Sequence, residues 1–159
     1  MEILDILILG SGPAALCLAS ELAKQNLNIK GISTKSPYEK WENTYGIWAS
    51  ELEEFGLASL LSHRWSKTVS YFGDGIKDKG NSPTKHYYDY GLINQEAFQN
   101  ELLKTCKGIQ WLNETAKLIT SENRISEVIC SSGLKLKARL VIDASGHKSK
   151  FIKRPFLKE

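Results

Sequence analysis

The chain has 159 residues, 42% hydrophobic and 25% charged, and a net charge of +3. This is the composition of a globular domain long enough to bury a core, and so mild a charge without a nucleic-acid-binding motif argues against DNA or RNA as a partner. Cys17, Cys106 and Cys130 show neither pairing nor metal-ligand spacing. With no leader-like start and no apolar run of the roughly 18–20 residues a bilayer crossing needs, they read as reduced thiols in a metal-free cytoplasmic protein.

Residues 3–9 (ILDILIL) form a nearly continuous apolar run, the pattern of a strand buried on both faces of a parallel sheet. Gly10, Ser11, Gly12, Pro13, Ala14 and Ala15 follow at once, and residues 15–25 then carry apolar side chains at helical spacing. Together they make the G-x-G-x-x-A dinucleotide fingerprint. Gly10 allows the tight turn, Gly12 lets a pyrophosphate approach the backbone, and Ala15 lets the helix pack close to the strand. Pro13 suits the first turn, where its missing N–H would have had no partner. The helix N-terminus then offers free N–H groups and a positive dipole end to phosphates. A bare match to this pattern is weak, but the strand before it and the helix after it make it specific.

Residues 28–32 predict a second strand. The acidic residue expected near its end, to hold a ribose hydroxyl, is absent, and Ser33 or Thr34 is the weaker substitute. Residues 36–50 read as a loop whose Trp41, Tyr45 and Trp48, taken singly, are best explained as aromatics capping a core. Residues 51–63 predict one amphipathic helix burying Leu52, Phe55, Leu57, Leu60 and Leu61. Residues 65–72 alternate like a strand, and residues 73–85 read as an exposed loop. Residues 95–106 predict a helix capped by Asn94, with Phe98, Leu102 and Leu103 inward. A short strand at 109–112, three antiparallel strands at 115–121, 125–131 and 134–137, and a parallel-type strand from Arg139 complete the chain.

The predicted fold is α/β and three-layered: a Rossmann-like parallel sheet, helices, and a three-stranded antiparallel meander, with residues 34–108 as an excursion and the last strand beside the first. Taken alone, the fingerprint and meander leave open a monooxygenase, a polyprenyl reductase or a non-catalytic nucleotide-binding module.

Further blocks narrow the reading. Trp41-Glu42-Asn43-Thr44-Tyr45-Gly46-Ile47-Trp48, His63-Arg64-Trp65, Asp89-Tyr90-Gly91-Leu92 and Val141-Ile142-Asp143-Ala144-Ser145-Gly146-His147 occur in an order similar to that of the lycopene β-cyclases of oxygenic phototrophs. The resemblance implies a glutathione-reductase-like FAD domain over residues 1–159. Gly10, Gly12 and Ala15 match its pyrophosphate loop, and Asp143, Ala144, Ser145 and Gly146 match its second FAD-facing turn. Thr44 to Trp48 fall on the flavin and substrate side. Gln95 stands where plant relatives carry Arg, a neutral donor in place of a charge.

The chemistry implied is a non-redox ring closure. An acid protonates an end of lycopene, the cation cyclises, and a base removes a proton. Reduced FAD, kept so by NADPH, stabilises the cation. The catalytic acidic motif of the family would fall beyond residue 159, so no residue here is assigned as catalytic, and this chain alone is expected to be inactive. The basic, apolar segment 147–158 is read chiefly as packing and surface charge, with peripheral contact to a photosynthetic membrane as the alternative.

Overall fold

The computed structural model describes residues 2–71, 83–147 and 149–152. The chain divides into two compact units, one of residues 1–40 and 99–159 and the other Trp41–Phe98.

In the first unit, β1 (Ile3–Leu9) leads into α1 (Pro13–Leu22) and then β2 (Ile29–Ser33). β1 pairs in parallel with β2, Leu9 opposite Ile32. α1 stops at Leu22, short of the helix expected to residue 25: Ala23 caps it and a turn over residues 23–26 carries the chain into β2.

The second unit starts with β3 (Gly46–Trp48) and α2 (Ala49–Glu54). The single helix expected over residues 51–63 does not exist. Gly56 takes a left-handed conformation at φ +69 and ends α2, because a positive φ suits glycine and cannot continue a right-handed helix. One 3-10 turn at Ala58–Leu60 follows, and the chain then extends as β4 (Leu61–Trp65). Of the expected buried set Leu52 is buried, whereas Phe55 is 76% exposed. β5 (Thr68–Ser70) pairs antiparallel with β6 (Thr84–His86), and β7 (Tyr90–Ile93) lies between β3 and β4 in a three-stranded antiparallel sheet. The expected exposed loop at 73–85 falls mostly outside the described residues, and Thr84 and Lys85 within its span are strand.

α3 (Gln95–Thr105) is capped as expected, Ala97 N–H donating to Asn94 Oδ1 at 3.1 Å. Phe98, Leu102 and Leu103 are all buried. In the first unit, β8 (Gln110–Asn113) adds in parallel to β2, and β9 (Ala116–Glu122), β10 (Ile125–Cys130) and β11 (Lys135–Asp143) form the meander. Here too the structure corrects the sequence reading. The third meander strand and the last parallel strand are one strand, because residues 135–143 contain neither Gly nor Pro to interrupt them. β11 is antiparallel to β10 through Lys135–Ala138 and parallel to β1 through Lys137–Asp143. The sheet order is β8-β2-β1-β11-β10-β9.

Alternate side chains of β1 serve two cores. Ile6 and Ile8 pack with Ala15 and Ala19 of α1 and with Cys106, whereas Leu7 and Leu9 pack with Ile32 and with Val128 and Cys130 of the meander. The layers are therefore helix, parallel sheet and meander. Phe151 packs against the meander-side core, whereas Ile152 is 55% exposed. All three cysteines are free, and burial pushes each thiol up from its ordinary value. Among the described residues no helix is long and apolar enough to cross a membrane, and no cluster of metal-ligating side chains exists.

Candidate functional site

The carboxyl ends of β1, β2 and β11 meet within the first unit. Leu9 is opposite Asp143, Gly10 N–H donates to Ile32 O at 2.8 Å, and Ala144 N–H donates to Leu9 O at 2.9 Å. This is where an open α/β sheet offers a ligand crevice.

The two glycines of the fingerprint do different things. Gly10 has φ +105, and a Cβ on it would lie 2.6 Å from Ala144 O, so this position holds the turn and lets two loops touch. Gly12, the N-cap of α1, has ordinary extended backbone (φ −76, ψ −177) and nothing within 4 Å of where its Cβ would be. Apart from its chain neighbours, no described residue requires glycine there, and among the described residues the space over it is open. Pro13 is the first helical residue, no acidic side chain lies in the first turn, and Ala15 is fully buried against β1. The first-turn N–H groups of Ala14 and Ala15 have no intrahelical acceptor. An anion fits this cradle on space, dipole and donors alike.

Ser11 plays a structural part with its side chain. It is 8% exposed, and its hydroxyl donates to Lys35 O at 3.0 Å. Having a single proton, it must then accept at 2.9 Å from Ser33, whose own oxygen accepts Lys35 N–H at 3.3 Å. Ser33 is left with accepting capacity only, and what Ser11 can offer a ligand is its backbone. Thr34 is exposed on the same loop.

The second turn is held by Asp143. Its Oδ1 accepts the Ser145 hydroxyl at 2.5 Å and Ser145 N–H at 3.0 Å, and its Oδ2 accepts the Ser149 hydroxyl. Burial pushes the Asp143 carboxyl up, but these hydrogen bonds outweigh it and hold the group below its ordinary value. Gly146 follows at φ +88, with open space where a Cβ would be. Gln95 belongs to the other unit; its Nε2 is buried and has no hydrogen-bond partner among the described residues.

Sequence reasoning missed two residues. Gln99, 6% exposed, donates from Nε2 to Pro37 O and Glu39 O, both at 2.8 Å. Glu39 turns its carboxylate back to accept Ser36 N–H at 2.8 Å. The spacing Ser36-x-x-Glu39 is that of a capping box and could have flagged the turn; nothing local in the sequence foretells the buried amide 60 residues on.

This architecture, a parallel sheet with a glycine loop and a flanking meander, is the Rossmann-like fold of FAD-dependent monooxygenases and halogenases. A variant of Pseudomonas aeruginosa PqsL superimposes with a TM-score of 0.64 at 18% identity, over 91% of this chain and 43% of that one. The p-nitrophenol 4-monooxygenase PnpA of Pseudomonas putida gives 0.62 at 19%, over 94% and 43%. A variant of the halogenase PltM, solved in complex with FAD, gives 0.62 at 16%, over 90% and 34%.

Within that fold the chain belongs to the lycopene cyclase family: residues 5–157 match the family described as "Lycopene cyclase protein". It is 44% identical over 153 residues to the lycopene beta cyclase of Synechococcus elongatus, covering 95% of this chain and 36% of that one. It is 31% identical to the chloroplastic lycopene beta cyclase of Arabidopsis thaliana, over 91% and 28%, and 31% identical to the neoxanthin synthase of Solanum lycopersicum, over 93% and 29%. The chain thus spans about a third of the length of the curated relatives it matches.

Proposed function

We propose that residues 1–159 are the FAD-binding part of a lycopene β-cyclase, which closes β-rings at the ends of lycopene in carotenoid biosynthesis. The observation that carries this reading is the open cradle over Gly12, in a chain of the lycopene cyclase family. Gly10 keeps the loop folded, and the N–H groups at Gly12, Ala14 and Ala15 bind the cofactor's pyrophosphate, with Ser11 and Pro13 fixing their direction. Ser33 and Thr34 lie on the ribose side. Asp143, Ala144, Ser145 and Gly146 form the second cofactor-facing turn: Asp143 Oδ1 is filled by the Ser145 hydroxyl and N–H, and Oδ2, accepting from Ser149, has a lone pair left for a ligand hydroxyl. Gln95, a buried amide donor with no partner among the described residues, would serve as a neutral contact to the cofactor.

Bound and reduced, with NADPH as the electron source, FAD would supply negative charge against a developing carbocation. The residues of this chain bind and orient the cofactor, and none of them is assigned as the acid or base. Residues 147–158 also remain a candidate for peripheral contact with a photosynthetic membrane, where an insoluble polyene would be collected.

The test is to express the complete reading frame containing residues 1–159 in a lycopene-accumulating host. β-Carotene is the expected product. Unchanged lycopene, with folded protein present, would overturn the assignment.

A further inference from the structure

The glycine fingerprint ordinarily works with a carboxylate at the end of β2, and here that position holds Ser33 and Thr34. We propose that Glu39 is the carboxylate that receives the adenosine ribose hydroxyl, brought back to the crevice by a turn that Gln99 clamps; this rests on the FAD reading above.

One peptide unit, between Lys35 and Ser36, links the phosphate loop to Glu39. Its carbonyl accepts from Ser11 of the phosphate loop at 3.0 Å, and its N–H donates to Glu39 Oε1 at 2.8 Å. Those contacts and the dimensions of a peptide bond put the Glu39 carboxylate at most about 8 Å from the Ser11 hydroxyl. The turn that returns Glu39 is closed by Glu39 N–H to Ser36 O at 3.0 Å and Tyr38 N–H to Ser36 Oγ at 3.3 Å. Gln99 then holds it from beneath, through the carbonyls of Pro37 and Glu39. A polar side chain buried to 6% exposure, with its amide nitrogen spent on two loop carbonyls, is a costly way to secure a surface turn. It is intelligible if the position of that turn matters.

A capping role alone would occupy Oε1. Oε2 takes no hydrogen bond among the described residues, and Glu39 is exposed. Ser33 is left with accepting capacity only, so Glu39 Oε2 is the charged acceptor this turn leaves for a sugar hydroxyl.

The experiment measures the affinity of the complete apoprotein for FAD and for the FAD analogue carrying 2′-deoxyadenosine. Wild type should prefer FAD by about tenfold or more, the usual worth of a hydrogen bond to a charged group. Glu39→Gln should lose that preference while binding the deoxy analogue as wild type does. Gln99→Leu should weaken FAD with little change for the analogue, and Glu39→Asp should recover part of the preference. A Glu39→Gln protein that keeps the full preference would overturn the proposal. So would equal weakening toward both ligands, because that marks Glu39 as a turn cap and nothing more. A wild-type protein that binds neither ligand would instead refute the FAD reading itself.

Discussion

In the unit of residues 1–40 and 99–159, β1 has seven residues and β11 nine, and Leu7, Ile8, Leu16 and Val128 are wholly buried. In Trp41–Phe98 the strands run three to five residues, and the contacts there are aromatic. Trp41 meets Tyr45 and Phe98 edge-on at 5.8 and 6.3 Å, and Trp48 meets Tyr90 at 5.4 Å. Tyr90 lies so close over Gly46 that a Cβ there would come within 2.3 Å of its hydroxyl. The first unit spreads its stability over many aliphatic side chains, each replaceable by another of similar volume at modest cost. The second concentrates it in a few rings and the glycines beneath them, so single truncations there should do disproportionate damage.

The largest expected effect is accordingly Trp41→Ala. Removing a tryptophan at 8% exposure should cost about 3–5 kcal/mol, read as faster amide exchange in residues 41–98. A loss below about 1 kcal/mol would break the contrast between aromatic anchoring and distributed aliphatic packing.

Next comes Gly10→Ala. The added methyl meets Ala144 O at 2.6 Å in a backbone conformation that disfavours any side chain, so a loss of about 3 kcal/mol is expected in denaturant melts. In the same unit, Gly31→Ala would drive a methyl to 2.1 Å from the Trp111 ring, and roughly 2 kcal/mol should go. If the ring can swing aside at no cost, Gly31→Ala will be neutral and the packing there looser than the geometry indicates.

The smallest effect is on pH. Asp143 has a lowered folded-state pKa, so its contribution is present above the unfolded carboxylate value of about 3.9 and is lost as pH falls through the lower folded one. Asp143→Asn should remove that part of the acid dependence and leave stability near neutral pH changing little with pH. An unchanged acid limb would mean the serine hydrogen bonds contribute nothing.

The same contrast explains what the sequence discloses. β1, β2 and the glycine loop are legible because a continuous apolar run and a fixed glycine spacing are local signals, and the pairing of β1 with β11 follows from two apolar strands ending in small-residue turns. The break at Gly56 was hidden because the leucines around it continue a helical period, and one positive φ overrode them. The fusion of meander and parallel strand at Ala138 was hidden because strand pairing is a tertiary choice. Glu39 and Gln99 were not legible as a pair, since no period or motif links residues 60 apart.

The most direct test of the cofactor cradle is flavin content per folded protein in Gly12→Val, prepared from the complete reading frame. Apart from its chain neighbours, no atom of the described residues lies within 4 Å of a Cβ at Gly12, so the melting temperature should stay at the apoprotein value while bound flavin, read by visible absorbance, disappears. Flavin retained at the wild-type level in that folded variant would contradict the account.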